Sequence, residues 1–126
     1  MAVRVTAHHT SFPVRDLARS RAFYEGVLGL KEKPRPPQLT FPGAWYQAGA
    51  CEVHLIQVAE GLDVGAPAPA LNPLARHEAF AVSDYAETVA HLKAHGLEVL
   101  EAGAEAGQMW VRDPDGHIIE LIVDRR

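Results

Sequence analysis

Two pairs of metal-capable residues recur at nearly one interval along this chain. His9 stands 68 residues before His77, and His54 stands 66 residues before Glu120. His54 is flanked by Val53 and Leu55, and Glu120 by Ile119 and Leu121, so both members of the second pair sit inside apolar runs. With seven histidines in 126 residues, a histidine at any named position is roughly a one-in-18 event, so two repeat-related pairs of ligand type argue against chance. A buried imidazole or carboxylate needs a partner, because an unpaired polar group in an apolar setting is costly. One divalent ion shared by His9, His54, His77 and Glu120 would supply that partner for all four. Nitrogen and oxygen donors without thiolate suit Ni, Zn, Co, Fe or Mn.

Three neutral imidazoles and one carboxylate around such an ion leave a net charge of about +1, suited to stabilising an oxyanion or enediolate. Four protein ligands leave an octahedral ion two open positions. That matches a small substrate bound through vicinal oxygens. A catecholate with dioxygen needs three, as the 2-His-1-carboxylate triad provides. Glu120, the sole carboxylate of the set, is the candidate proton acceptor and donor.

The remaining chemistry-bearing residues have structural uses. His8 adjoins His9 and is expected on the opposite strand face. His91 and His95 fall on a helix and read as solvated, with His95 near the helix end where its charge suits the dipole. His117 adjoins a turn and reads as surface. Cys51 reads as core, and Trp45, Met109 and Trp110 as packing.

The elements that must position these residues also repeat. Phe12, Val14 and Asp16 follow His9 as Phe80, Val82 and Asp84 follow His77. Alternating apolar residues over that length predict a half-buried strand in each half. Asp16, and Ser83 or Asp84, are types that cap a helix start. Phe23, Val27 and Leu30 fall at helical spacing, as do Tyr85, Val89 and Leu92. Gly29 and Gly96 stand where a helix ends in a left-handed residue. Three strands are then expected in each half: Leu30–Pro34, Phe41–Gln47 and Cys51–Val58, then Glu98–Ala102, Gln108–Asp113 and His117–Val123. Asp113-Pro114-Asp115-Gly116 forms the turn between the last two. Pro13 cannot donate to a ladder and marks the first strand's exit or an edge. The chain thus reads as α+β, one domain over 1–126, with strand–helix–three-strand modules near 3–58 and 76–124. A Gly-, Ala- and Pro-rich connector over 59–75 joins them.

Composition narrows the setting. The formal net charge is -4 with Lys and Arg scattered, which speaks against a nucleic-acid partner. No apolar run approaches the roughly 20 residues of a membrane span. Met1 to Thr10 lacks a signal-peptide core and reads as strand. The single cysteine cannot form an intrachain disulfide, so a cytoplasmic location is expected.

On these residues the chain resembles the vicinal-oxygen-chelate superfamily, which spans glyoxalase, bleomycin-resistance and extradiol dioxygenase proteins. The opening His9-Thr-Ser-Phe-Pro-Val-Arg-Asp-Leu, followed by Arg21-Ala-Phe-Tyr-Glu-Gly-Val-Leu-Gly-Leu30, is similar to the family's first module. His77-Glu-Ala-Phe-Ala-Val and Asp113-Pro-Asp-Gly-His-Ile-Ile-Glu-Leu121 are similar to its second. Phe41-Pro-Gly-Ala-Trp-Tyr, running on to Val53-His-Leu-Ile-Gln57, resembles a glyoxalase-I-like subgroup. The resemblance implies two βαβββ modules whose sheets form a cup around one metal, with ligands at His9, His54, His77 and Glu120. It also implies a homodimer, because many short members build each cup from modules of two chains.

Glyoxalase I carries a glutamate or glutamine among its first-module ligands, and here His54 stands in that place. The leading expectation is a metal-dependent lyase or isomerase acting on a small substrate. Alternatives are thiol or water addition to an epoxide, as in fosfomycin-resistance enzymes, extradiol cleavage, and a non-catalytic binding protein. The short loop Ala102–Gln108 speaks against a fosfomycin-type cation- and phosphonate-binding loop, and an intact ligand set against pure sequestration.

Overall fold

Each half of the chain folds as one strand, one helical segment and three further strands. The computed structural model describes residues 2–126. The first half holds β1 (His9–Val14), α1 (Leu17–Arg21), a π-helical segment (Ala22–Val27), β2 (Lys31–Lys33), β3 (Gly43–Ala48) and β4 (Cys51–Gln57). The second holds β5 (His77–Val82), α2 (Tyr85–Ala94), β6 (Leu100–Gly103), β7 (Gln108–Arg112) and β8 (Ile118–Val123). One compact unit ends at Val64 and the other runs Gly65–Arg126, so the division falls inside the expected connector.

The two sheets have one topology. The first is ordered β1-β4-β3-β2 and the second β5-β8-β7-β6. The outer pairs β1–β4 and β5–β8 are parallel, and the other neighbours are antiparallel. Pro13 lies opposite Ile56 on an edge strand, where a missing N–H is tolerated.

Alternation divides each sheet into an apolar face and a face with polar and aromatic groups. In the first unit Phe12 and Ala44 flank Leu55, Tyr46 faces Val53, and all five are buried beside Phe23 and Tyr24. In the second, Met109, Val111, Ile119 and Leu121 are buried with Leu92 of α2. Burying such side chains is worth about 1.5–3 kcal/mol each. The opposite faces carry the candidate ligands.

The helix starts follow their caps. Asp16 accepts from Arg19 N, and Asp84 from Glu87 N at 2.8 Å. Gly29 and Gly96 take φ of 70° and 76°, as the helix ends require. After α2 the closure is a Schellman pair, with Leu97 N donating to Leu92 O.

Several expectations need correction. Strand is expected from the N-terminus, yet β1 begins at His9 and residues 2–8 form no regular element, while Met1 lies outside the described residues. The first helix is not regular: after Arg21 it widens into the π-helical segment. Phe23 and Tyr24 are consecutive and both buried. A wider turn lowers the angular step per residue and lets both face the sheet, which an α-helix does poorly. Strand ends shift by one to two residues, as at Gly43 rather than Phe41 for β3. Among the described residues no helix is long and apolar enough to cross a membrane.

One glycine is fixed by proximity. A Cβ on Gly43 would lie 2.5 Å from the Leu55 carbonyl oxygen and 2.9 Å from Arg35 Nη1. The first neighbour is backbone of the adjoining strand, so β3 itself would have to move. Gly43→Ala is expected to destabilise by about 1–3 kcal/mol, the usual range for overpacking. Urea unfolding followed by circular dichroism measures it, and an unchanged midpoint would contradict the contact.

Candidate metal centre

In the first unit, β1 and β4 bring His9 and His54 together. Their rings stack at 4.0 Å between centroids with 15° between planes. His54 is only 4% exposed. Trp45, directly opposite on β3, stacks on it at 3.8 Å and 2°. His54 Nε2 lies 2.9 Å from Glu52 Oε1, and Lys33 Nζ pairs with Glu52 Oε2. Those two hydrogen bonds, His54's first, hold the Glu52 carboxyl at about 2. His9 titrates below the ordinary imidazole value. Desolvation is the main cause, and positive charge on His54 or His8 adds to it. A neutral ring at physiological pH is the form that can donate a lone pair.

His8 departs from expectation. It precedes β1 rather than alternating within it, and its Nδ1 lies 2.8 Å from His9 Nδ1. Cys51, expected in the core, is half-buried, with Sγ 3.9 Å from Ala7 O.

In the second unit, β5 and β8 bring His77 and Glu120 together, with His77 Nε2 3.0 Å from Glu120 Oε1. His77 Nδ1 lies 2.7 Å from Ala75 O. A carbonyl only accepts, so Nδ1 carries a proton, and Nε2 is the ring atom that faces the carboxylate. Glu120 is 6% exposed and held from two sides. Trp110 Nε1 donates to Oε1 at 3.0 Å, and Gln108 Nε2 to Oε2 at 3.2 Å. The Asp113 turn secures this register. Asp113 is buried, and its Oδ1 accepts from Asp115 N and His117 N, each at 2.9 Å. His91 lies exposed on α2 and His95 exposed at its C-cap, and His117 is half-buried.

The tryptophans matter more to the site than packing alone suggests. Trp45 faces His54 in the register, and Trp110 faces Glu120. They are repeat partners, 65 residues apart, a signal available in the sequence once both strands are aligned. Glu52 and Gln108 also escape a search restricted to repeated residue types.

The donor set of the second unit fits a divalent ion. An imidazole nitrogen facing a carboxylate oxygen at 3.0 Å places a positive charge, a proton or a cation, between them. The Nδ1–H to Ala75 is also the outer-shell hydrogen bond that ligating histidines usually make. Among the described residues no three His, Cys, Asp or Glu side chains are grouped for a metal. Each unit holds two of the candidates.

Comparison with known proteins now bears on the arrangement. Residues 6–121 match the profile of the Glyoxalase/Bleomycin resistance protein/Dioxygenase superfamily. The chain belongs to this superfamily. A superfamily relative, Glyoxylase I 4 of Arabidopsis thaliana, is 30% identical over 119 residues, covering 90% of this chain and 68% of that protein. A solved glyoxalase family protein from Bacillus anthracis superposes with a TM-score of 0.77 at 28% identity, covering 99% of this chain and 100% of the other. Glyoxalase I of Leishmania major shares the fold, with a TM-score of 0.69, 24% identity, and 95% and 87% coverage. The α+β architecture of two modules is thus the glyoxalase/dioxygenase fold.

Proposed function

We propose that this chain is a divalent-metal-dependent enzyme of the glyoxalase-I type. It would be a lyase or isomerase whose small substrate binds the ion through vicinal oxygens. His9, His54, His77 and Glu120 are the proposed donors, supplied to one ion by the modules of one chain or of a homodimer. The observation that carries the reading is His77 Nε2 facing the buried Glu120 carboxylate at 3.0 Å. The Arabidopsis relative's name supports the choice of reaction class.

When bound, the ion supplies a Lewis acid that polarises a hydroxy-carbonyl group. The chain's own part rests on Glu120. Its carboxylate would take a proton from the substrate carbon and return it to the neighbouring one. Trp110 and Gln108 hold its two oxygens in orientation. The Ala75 carbonyl holds the Nδ1 proton of His77 and so sets the ring's orientation.

The test starts with protein purified without added metal and analysed for bound elements. Near-stoichiometric divalent metal, with metal-dependent isomerisation of hydroxy-carbonyl substrates, is the expected result. Turnover of epoxides with thiol or water in place of that reaction would reassign the chemistry. No metal even after reconstitution with Ni, Zn, Co, Mn and Fe(II) would overturn the proposal in favour of a metal-free binding protein.

A further inference from the structure

The polar face of the first unit holds one carboxylate that the four-ligand reading does not use. Glu52 lies two residues before His54 on β4, so both side chains project from the same sheet face. Glu52 Oε1 sits 2.9 Å from His54 Nε2, and Oε2 pairs with Lys33 Nζ of β2. An ionised carboxylate has no proton to give, so the shared proton belongs to Nε2. β4 runs between β1 and β3. His9 and Trp45 therefore take the two faces of the His54 ring, at 4.0 Å and 3.8 Å. Stacked on both sides, the imidazole is not free to rotate and exchange its nitrogens. His54 Nδ1 takes no hydrogen bond within the described residues.

We propose that Glu52 is a positioning residue. It fixes His54 as the Nε2–H tautomer and leaves Nδ1 as the atom offered to an incoming cation. Lys33 anchors Glu52 from the far side, and the sheet register sets both. The arrangement parallels, within one chain, the Ala75 carbonyl on His77, where Nδ1 holds a proton and Nε2 faces Glu120. The two histidines would thus present opposite ring nitrogens, each set by its own acceptor. An anionic acceptor also makes the ring a stronger donor than a neutral one does.

Two measurements test this, and only the second rests on the function proposed above. The first is NMR of metal-free, 15N-labelled protein, reading which His54 nitrogen carries the proton and how fast it exchanges with water. The wild type should show Nε2–H in slow exchange. Glu52→Ala should exchange that proton at least tenfold faster, with protonation shared between the two nitrogens. Glu52→Gln, which keeps the side chain's shape and so protects the fold, should lie between them. A wild-type proton on Nδ1, or exchange unchanged in Glu52→Ala, would overturn the proposal.

The second measurement is a Zn or Ni competition titration. Loss of an outer-shell partner should weaken binding about 10–100-fold in Glu52→Ala. Unchanged affinity would equally refute the positioning role. A wild type that binds no metal would remove the proposed function, while the NMR result would still decide the role of Glu52.

Discussion

Glu120→Gln is expected to weaken divalent-metal binding by more than a hundredfold while changing the thermal midpoint little. The carboxylate is 6% exposed and receives Trp110 Nε1–H on one oxygen and Gln108 Nε2–H on the other. Glutamine keeps the volume and one accepting oxygen, so the Trp110 bond and the β7–β8 pairing survive. Its amide removes the only negative charge of the proposed donor set and, with the oxygen kept on Trp110, sets an N–H against Gln108 Nε2. Outer-shell losses cost about 10–100-fold in affinity, and loss of the charged donor itself must exceed that. If the protein is an isomerase, turnover in metal-saturated Glu120→Gln should fall a further 10²–10⁴-fold, roughly the contribution of a positioned acid–base group. Isothermal titration, paired with a melting curve, separates the two effects. Full affinity with an intact fold would exclude Glu120 from the site. Lost affinity with a collapsed midpoint would assign it a structural role.

The duplicated architecture is readable from residues because each device is local. Asp16 and Asp84 cap by their own side chains, and Gly29 and Gly96 end their segments because the backbone turns left-handed there. Period-two alternation then places His9 with His54, and His77 with Glu120, on shared sheet faces. What the sequence hides depends on contacts between elements. The π-helical turn arises because Phe23 and Tyr24 must both reach the sheet, a demand that spacing along the helix does not express. Glu52 looks like an ordinary exposed strand residue until the β2–β3–β4 register sets Lys33 and His54 on either side of it. Trp45 and Trp110 look like packing for the same reason. Their partners, an imidazole face and a carboxylate, come from the neighbouring strand.

A second large effect concerns stability and is independent of any metal. Tyr46 is fully buried on the apolar face of the first sheet, and its hydroxyl donates to Glu25 Oε2 at 2.6 Å. Burial, and then the Glu25 hydrogen bond, push its phenol well above the ordinary value, so it stays protonated and donating. Arg21 completes the network, contacting Glu25 at 3.0 Å and gripping both oxygens of Glu32 at 2.9 Å and 3.0 Å. Tyr46→Ala removes the ring and opens a cavity, with an expected cost of about 3–5 kcal/mol, as for other large aromatic truncations. Tyr46→Phe removes only the donor. Glu25 keeps Arg21, so the expected cost is about 1–2 kcal/mol. The difference between the variants measures the packing share, read from urea midpoints at neutral pH. Equal costs would mean that the hydroxyl, not the ring, carries the effect. Acid adds a separate signature. Arg21's hydrogen bonds hold the Glu32 carboxyl below its ordinary value, so the pair stabilises the fold fully above about pH 4.3 and loses that contribution as pH falls further. Glu32 is 44% exposed, so solvent screening limits this share to under about 1 kcal/mol. Arg21→Met should flatten that part of the acid limb while leaving the neutral-pH cost of Tyr46→Ala largely in place, because the ring packs on the sheet and only its hydroxyl reaches the ion network.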